Sequence, residues 1–579
     1  MAENREKLFD QFAPVSTETW KAKVVADLKG ADFDKKLVWR TNEGFNVQPM
    51  YRAEDIENLK TTDSLPGEYP FVRGTRTDNE WFIRQNIVVE NVAEANEKAK
   101  SLTTKGVTSF GFKLSEALTA DNVATLLDGI DLAKVEVNFE SCPKCAVATT
   151  KALVEYLTSN GKADEFTGSV KFDPFVRLLK HGVDFGGDIK AMAKELTEIV
   201  APVKNLRVFT VFFVDTVLLS DAGAYIAQEL GYALAWGNEW MSQLTDAGVA
   251  VDEAAKRIKF NMGITSNYFM EIAKFRAARM LWAQIVKQYQ PECDCACKMN
   301  VHAATTKFNQ TVFDAHVNLL RTQTETMSAA LAGVDSITVT PFDAQFKNPD
   351  EFSERIARNQ QLLLKEESHL DKITDPAGGS YYVETLTASI ADVAWKNFLA
   401  IEDLGGFYAA IKSRKSSKRH QRNVTKTLPA AKSLSSAQTS SLTSQNLQAT
   451  RLRRPTDATA AASTTHRKAL WHQSLQHVRQ ATSRLSALQQ KNRQYVRKCL
   501  CLQSATWQCA LPAHSSLPTS SPAPVMKSST TLVSRPYRKA STPLWKRMPT
   551  SWCSAQATTN TQNMHRKHSS CSTAAPSLL

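Results

Sequence analysis

Between residues 108 and 340, short runs of apolar and β-branched residues alternate with longer segments of helical patterning, and no other feature of this chain constrains its fold as strongly. The runs are Thr108–Phe112, Lys134–Phe139, Gly168–Lys171, Leu206–Val214, Ile258–Met262, Met299–Ala303 and Ser336–Thr340, about 30 to 50 residues apart. Parallel strands need a crossover of a dozen or more residues, commonly a helix, so this alternation predicts a parallel sheet. Short, largely apolar strands suit an α/β fold of the (β/α)8 TIM-barrel kind, whose interior is filled by side chains. An open doubly wound sheet is the competing arrangement. Between the strands, Glu271–Trp282 places Ile272, Phe275, Ala278 or Arg279 and Trp282 on one helical face, as expected of an outer helix lying on the barrel. The last clear helical pattern runs through Ile390–Ala400.

The rhythm does not extend to the end of the 579 residues. Residues 413–579 hold 26 Lys and Arg against one acid, Asp457, and contain no glycine, whereas residues 1–412 hold 45 basic and 57 acidic residues. The formal charges are therefore +25 and −12. A second α/β domain needs glycine at turns and helix C-caps, and a packed surface mixes both charge signs, so no packed domain is expected after residue 412. Three origins fit such a stretch: a disordered basic tail that binds nucleic acid, a processed linker, or a segment translated out of frame. The last accounts best for the abrupt onset and the scattered Trp and Cys. The implied organisation is an N-terminal extension over 1–65, a barrel over 66–412 and a basic Ser/Thr-rich tail over 413–579. The start of the chain is charged, and no run of about 18 apolar residues exists to span a bilayer, so a cytoplasmic protein is expected.

Two cysteine groups raise the question of zinc: Cys142-Pro-Lys-Cys145 and Cys293-Asp-Cys-Ala-Cys297. The one-residue gaps of the second group favour reduced loop cysteines instead, and no metal is expected. Asp375 with Gly378-Gly379 lacks the Lys-Ser/Thr of a phosphate loop and reads as a structural turn.

Several motifs, in order along the chain, carry a family resemblance. Pro66-Gly-Glu-Tyr-Pro-Phe-Val-Arg-Gly74 and Trp81-Phe-Ile-Arg-Gln85 resemble the N-terminal signature of the adenosylcobalamin-dependent acyl-CoA mutases. Glu271–Trp282, Glu351–Gln360, Glu366-Glu-Ser368 and Asp375–Tyr382 resemble the same family's barrel, and the small subunit of methylmalonyl-CoA mutase in particular. The resemblance implies a barrel whose axis coenzyme A threads, and a radical interconversion of methylmalonyl-CoA and succinyl-CoA. Isobutyryl-CoA or ethylmalonyl-CoA mutases are alternatives within the class, and a barrel with a nucleic-acid-binding tail is the less favoured alternative outside it.

Position by position, the constellation that the resemblance implies is largely replaced. A tyrosine that follows Ile-Arg-Gln in catalytic chains is Asn86, and a histidine four residues before an Ala-Gly pair, here Ala222-Gly223, is Leu218. Leucine donates no hydrogen bond to a thioester carbonyl. The strand motif His302-Ala-Ala-Thr-Thr306 puts Ala304 where catalytic chains have glutamine, and a looser alignment puts His181 at a carboxylate-binding position. Arg84 and Gln85 remain as substrate-binding candidates, with His302 either in that role or as a satisfied core histidine. Losing donors aimed at a thioester removes several kcal/mol of stabilisation in such sites, so a silent barrel is expected. The family's C-terminal flavodoxin-like domain carries an Asp-x-His-x-x-Gly cobalt loop, which does not occur here. The resemblance therefore implies adenosylcobalamin on a large subunit with which this chain forms a heterodimer.

Overall fold

The computed structural model describes residues 11–181, 184 and 189–412. Eight strands form one closed, wholly parallel ring. They are β1 (Phe82–Val89), β2 (Ser109–Leu114), β3 (Glu136–Glu140), β4 (Thr167–Phe172), β5 (Val208–Asp215), β6 (Ile258–Ile264), β7 (Val301–Thr305) and β8 (Ser336–Thr338). β8 closes onto β1 through Ser336–Phe82, Ile337–Ile83 and Thr338–Arg84, which decides for the TIM barrel over the open sheet. Seven strands match the runs predicted from sequence to within two residues at each end. The eighth, β1, lies within the family motif, where Arg84-Gln-Asn86 interrupts the apolar run and hides the strand signal.

Alternation along each strand sorts the residues. Phe110, Phe112, Val137, Phe139, Val170, Phe260, Met262 and Ala303 are buried under the helices, while the residues between them line the lumen. Outside the ring, three long helices form a second layer: α1 (Ile226–Asp246), α2 (Tyr268–Gln288) and α3 (Tyr381–Glu402). α2 is packed between α1, α3 and the ring, and Met270 through Ala283 are all buried. The one-sided stripe expected of this helix is therefore corrected: its polar face is buried too. Gly231 permits the close approach of α1 to α3, since a Cβ there would lie 2.5 Å from Asn397 Cβ and 2.8 Å from the Ala394 carbonyl oxygen. Beyond Ala400 the packing continues in the helix Gly406–Lys412, where Phe407 stacks on Trp236 with ring centroids 4.8 Å apart.

Buried charge on α2 is paired. Lys274 Nζ lies 2.8 Å from Glu229 and 2.6 Å from Glu271, and Arg276 joins Glu384 (2.6 Å) and both carboxylate oxygens of Asp375. Arg73, in the segment entering the barrel, also binds Asp375, at 3.0 Å. The Asp375–Gly379 turn thus anchors the outer layer, as its reading as a structural turn requires. From the N-terminal region, the Glu43 carboxylate accepts hydrogen bonds from the amides of Ile226 (3.1 Å) and Ala227 (2.8 Å) at the start of α1. A carboxylate there favours the free amides and the dipole of the helix N-terminus. The tail expected over 413–579 lies outside the described residues.

Glu325, in the helix Asn318–Leu331, is buried, and the charge of Arg321 one turn away offsets that burial only in part. Burial pushes its carboxyl up to about 8, against one hydrogen bond from Asn309 Nδ2 at 3.3 Å. A carboxyl whose folded value is raised contributes fully below its unfolded value of 4.5, and that contribution is lost as pH rises toward 8. Glu325→Gln is accordingly expected to leave stability near unchanged at pH 5 and to raise it at pH 9 by on the order of a few kcal/mol. Urea denaturation at the two pH values checks this, and an equal effect at both would refute it.

Candidate functional site

Barrel active sites are built at the C-terminal ends of the strands around the lumen. Here the lumen is crossed by a charged network. Glu136 on β3 receives Arg84 Nη2 of β1 at 2.7 Å, the Ser109 hydroxyl of β2 at 2.6 Å and, from across the ring, Lys259 Nζ of β6 at 2.6 Å. Lys259 also reaches Asn138 Oδ1 at 3.2 Å, which in turn accepts from the Ser169 hydroxyl of β4 at 2.6 Å. Five strands are thereby tied together at one level of the axis. Burial would raise the Glu136 carboxyl, but the charges of Arg84 and Lys259 outweigh it and hold the group well below the usual range. Desolvation brings Lys259 down to about 8, more than Glu136 offsets.

Nearer the strand ends, Lys171 of β4 pairs with Asp215 of β5 and, at 3.0 Å, with Glu140 of β3. Burial works against the ammonium form of Lys171, but the two carboxylates raise it overall. Lys171 in turn holds Glu140 down at about 2. Asp173, just past β4, caps the helix Pro174–His181 by accepting the Val176 amide at 3.2 Å, and desolvation keeps its carboxyl well above the ordinary range.

The residues singled out from sequence are placed as follows. Arg84 points into the lumen and is held by Glu136. Gln85 points the other way: its amide donates to Glu354 (3.1 Å) and accepts from Arg358 (3.0 Å) on the outer helix Glu351–Leu362. Adjacent residues of a strand must face opposite sides, so the two do not meet at one site. His302 is buried in the lumen with Nδ1 2.8 Å from the Ser336 hydroxyl; desolvation first, then Arg84 and Lys259, keep the imidazole neutral. Asn86 faces the lumen above Arg84, opposite Gly111, and Ala304 lies on β7 two residues beyond His302. Leu218 is buried in the short helix Val217–Asp221 that follows β5. His181 ends its helix, and its side chain lies outside the described residues.

The lumen residues missed at first, Glu136, Asn138, Lys171 and Lys259, did leave a signal. Val135-Glu-Val-Asn-Phe-Glu140 and Ile258-Lys-Phe-Asn-Met262 alternate polar and apolar residues in strands that a barrel buries on both faces. Polar residues at every second position of such a strand must line the lumen.

The two cysteine groups are not combined. Cys142 and Cys145 follow the C-terminal end of β3, whereas Cys293, Cys295 and Cys297 precede the start of β7, at the opposite end of a parallel barrel. Among the described residues, no three His, Cys, Asp or Glu side chains converge to hold a metal. Cys142, Cys145 and Cys297 are free, as the reading of reduced loop thiols expects; that reading is corrected in three places, since Cys293 is paired with Cys295, Cys297 is buried and Cys145 lies inside the helix Pro143–Ser159.

Comparison with known proteins agrees with this architecture. The methylmalonyl-CoA mutase family description matches residues 40–118 and 116–500. The chain is 58% identical over 414 residues to the methylmalonyl-CoA mutase small subunit of Porphyromonas gingivalis, covering 71% of this chain and 66% of that protein. It is 34% identical over 392 residues to the small subunit of Streptomyces virginiae, covering 67% and 62%, and 30% identical over 402 residues to the methylmalonyl-CoA mutase of Rhizobium meliloti, covering 65% and 56%. The chain thus spans between 56% and 66% of the length of these three relatives. With the family description matching well over half of its residues and a closed eight-stranded barrel beneath that match, this chain belongs to the methylmalonyl-CoA mutase family.

Proposed function

We propose that this chain is the small, non-catalytic subunit of a cytoplasmic methylmalonyl-CoA mutase. In this reading it pairs with a large subunit that binds the acyl-CoA and performs the adenosylcobalamin-dependent isomerisation of methylmalonyl-CoA and succinyl-CoA. The carrying observation is the lumen network: Glu136 and Lys259 approach to 2.6 Å from β3 and β6, so a ligand lying along the axis at their level would have to part this buried pair. Leu218 and Ala304 carry no hydrogen-bond donor that could polarise a thioester, and the shorter amide of Asn86 does not fill the space of a tyrosine.

The described residues do not fit cobalamin either. His302, on its lumen strand, is buried and engaged by Ser336, and the buried lumen cations Arg84 and Lys259 are engaged by Glu136. The role left to the barrel is to complete and stabilise the pair, since a partner that binds only the folded form raises its stability by mass action.

The test is to produce the chain alone and together with a large subunit, then assay isomerisation and titrate methylmalonyl-CoA by calorimetry. The chain alone is expected to show neither turnover nor saturable binding, while the pair copurifies and is active. Turnover or acyl-CoA binding by the isolated chain would overturn the proposal.

A further inference from the structure

Cys142-Pro-Lys-Cys145 lies at the C-terminal face of the barrel, where β3 gives way to the helix Pro143–Ser159. Cys142 is the N-cap of that helix, with Pro143 at its first position. Its sulfur lies 3.0 Å from Cys145 Sγ and 3.4 Å from the Cys145 amide nitrogen, while Cys142 is exposed and Cys145 half-buried. Two sulfurs already in contact, on a rigid turn, need little backbone movement to bond.

The surroundings separate the two thiols. For Cys142, partial burial is outweighed by the Cys145 thiol, the amides of Cys145 and Lys144 and the nearby Arg177 guanidinium, and the group falls below the ordinary thiol range. For Cys145, the hydrogen bond to Cys142, then burial and the neighbouring sulfur's charge, push the thiol up to about 11. An exposed thiol at a helix N-terminus, 3.0 Å from a half-buried second thiol, is the arrangement of an attacking and a resolving cysteine. A structural cap alone requires only one sulfur. In the other close cysteine pair among the described residues, Cys293 and Cys295 are already joined.

We propose that Cys142 and Cys145 form a redox-active dithiol that undergoes thiol–disulfide exchange with low-molecular-weight disulfides of the glutathione class. The Cys142 thiolate attacks one sulfur of the disulfide, forming a mixed disulfide and releasing the first thiolate, which takes up a proton. Cys145 then gives up its proton and attacks Cys142 Sγ. The Cys142–Cys145 bond forms as the bond to the second glutathione sulfur breaks, and that second thiolate is protonated in turn. Two electrons pass from the dithiol to the small disulfide, leaving one protein disulfide and two small thiols. The inference stands apart from the subunit assignment, because it requires neither an acyl-CoA site nor a partner.

The test exposes the full chain to glutathione disulfide, quenches with an alkylating reagent and digests after glutamate. Cleavage at Glu140 and Glu155 keeps both cysteines on one peptide for mass spectrometry. The expected result is loss of both alkylatable thiols from that peptide with no glutathione retained. Cys145→Ser is expected to trap one glutathione on Cys142, and Cys142→Ser to slow modification of the peptide by about ten-fold or more. Wild-type chain that keeps both thiols, stops at a stable mixed disulfide, or reacts no faster than Cys142→Ser would overturn the proposal.

Discussion

Replacing Glu136 with alanine is expected to destabilise the barrel by about 3–5 kcal/mol, because it leaves Arg84 and Lys259 as buried, unpaired cations. Their side chains are 5% and 2% exposed, so water cannot take over the role of the carboxylate. Desolvation already disfavours the charged form of Lys259, and without Glu136 only the more distant Asp335 charge and the Asn138 side-chain oxygen at 3.2 Å would offset it. The variant Glu136→Ala with Lys259→Met is expected to recover much of the loss, since it removes the stranded ammonium and returns apolar volume to the lumen. Urea denaturation of the two variants beside the parent decides the matter. A single variant losing less than about 1 kcal/mol, within the range of an exposed pair, would show that the network is solvated and the axis open.

Arg276→Met is expected to have an effect of similar size, also about 3–5 kcal/mol, by stranding two carboxylates instead of two cations. Asp375 and Glu384 are 3% and 1% exposed, and Arg276 is the cation shared between them. Asp375 would keep Arg73, which is 25% exposed and bound through Nε alone, while Glu384 would keep only the Gly379 amide at 2.9 Å. The damage should therefore be local as well as global: the turn at 375–379 joins the outer layer to the segment entering the barrel, and losing its anchor should expose it to proteases. Limited proteolysis is expected to reveal a new cleavage between residues 371 and 380. An unchanged digest with an unmoved denaturation midpoint would refute this.

Much of the architecture could be read from the chain in order. Strand runs such as Ile258–Met262 stand out because a parallel barrel buries both faces of a strand and so selects short apolar segments. β1 did not stand out for the same reason in reverse: Arg84, Gln85 and Asn86 are three polar residues in a row, two facing the lumen and one an outer helix. The helical period of α2 was legible, but its burial on every side was not. Lys274 and Arg276 can be buried because Glu229, Glu384 and Asp375 arrive from other elements to pair with them.

The candidate site shows the same division. That Leu218 and Ala304 carry no side-chain hydrogen-bond donor, and that Asn86 is shorter than a tyrosine, is legible in the chain alone, because side-chain chemistry is a local property. That Arg84 and Gln85 face opposite sides followed only once the structure showed Phe82–Val89 to be a strand, because the polar run hides the strand in the sequence. That Arg84 faces inward, and that Glu136 and Lys259 meet across the ring although they are 123 residues apart, came from the assembled barrel. Those outcomes depend on ring closure and strand register. Both are set by the packing of all eight strands together, and no single segment of the chain encodes them.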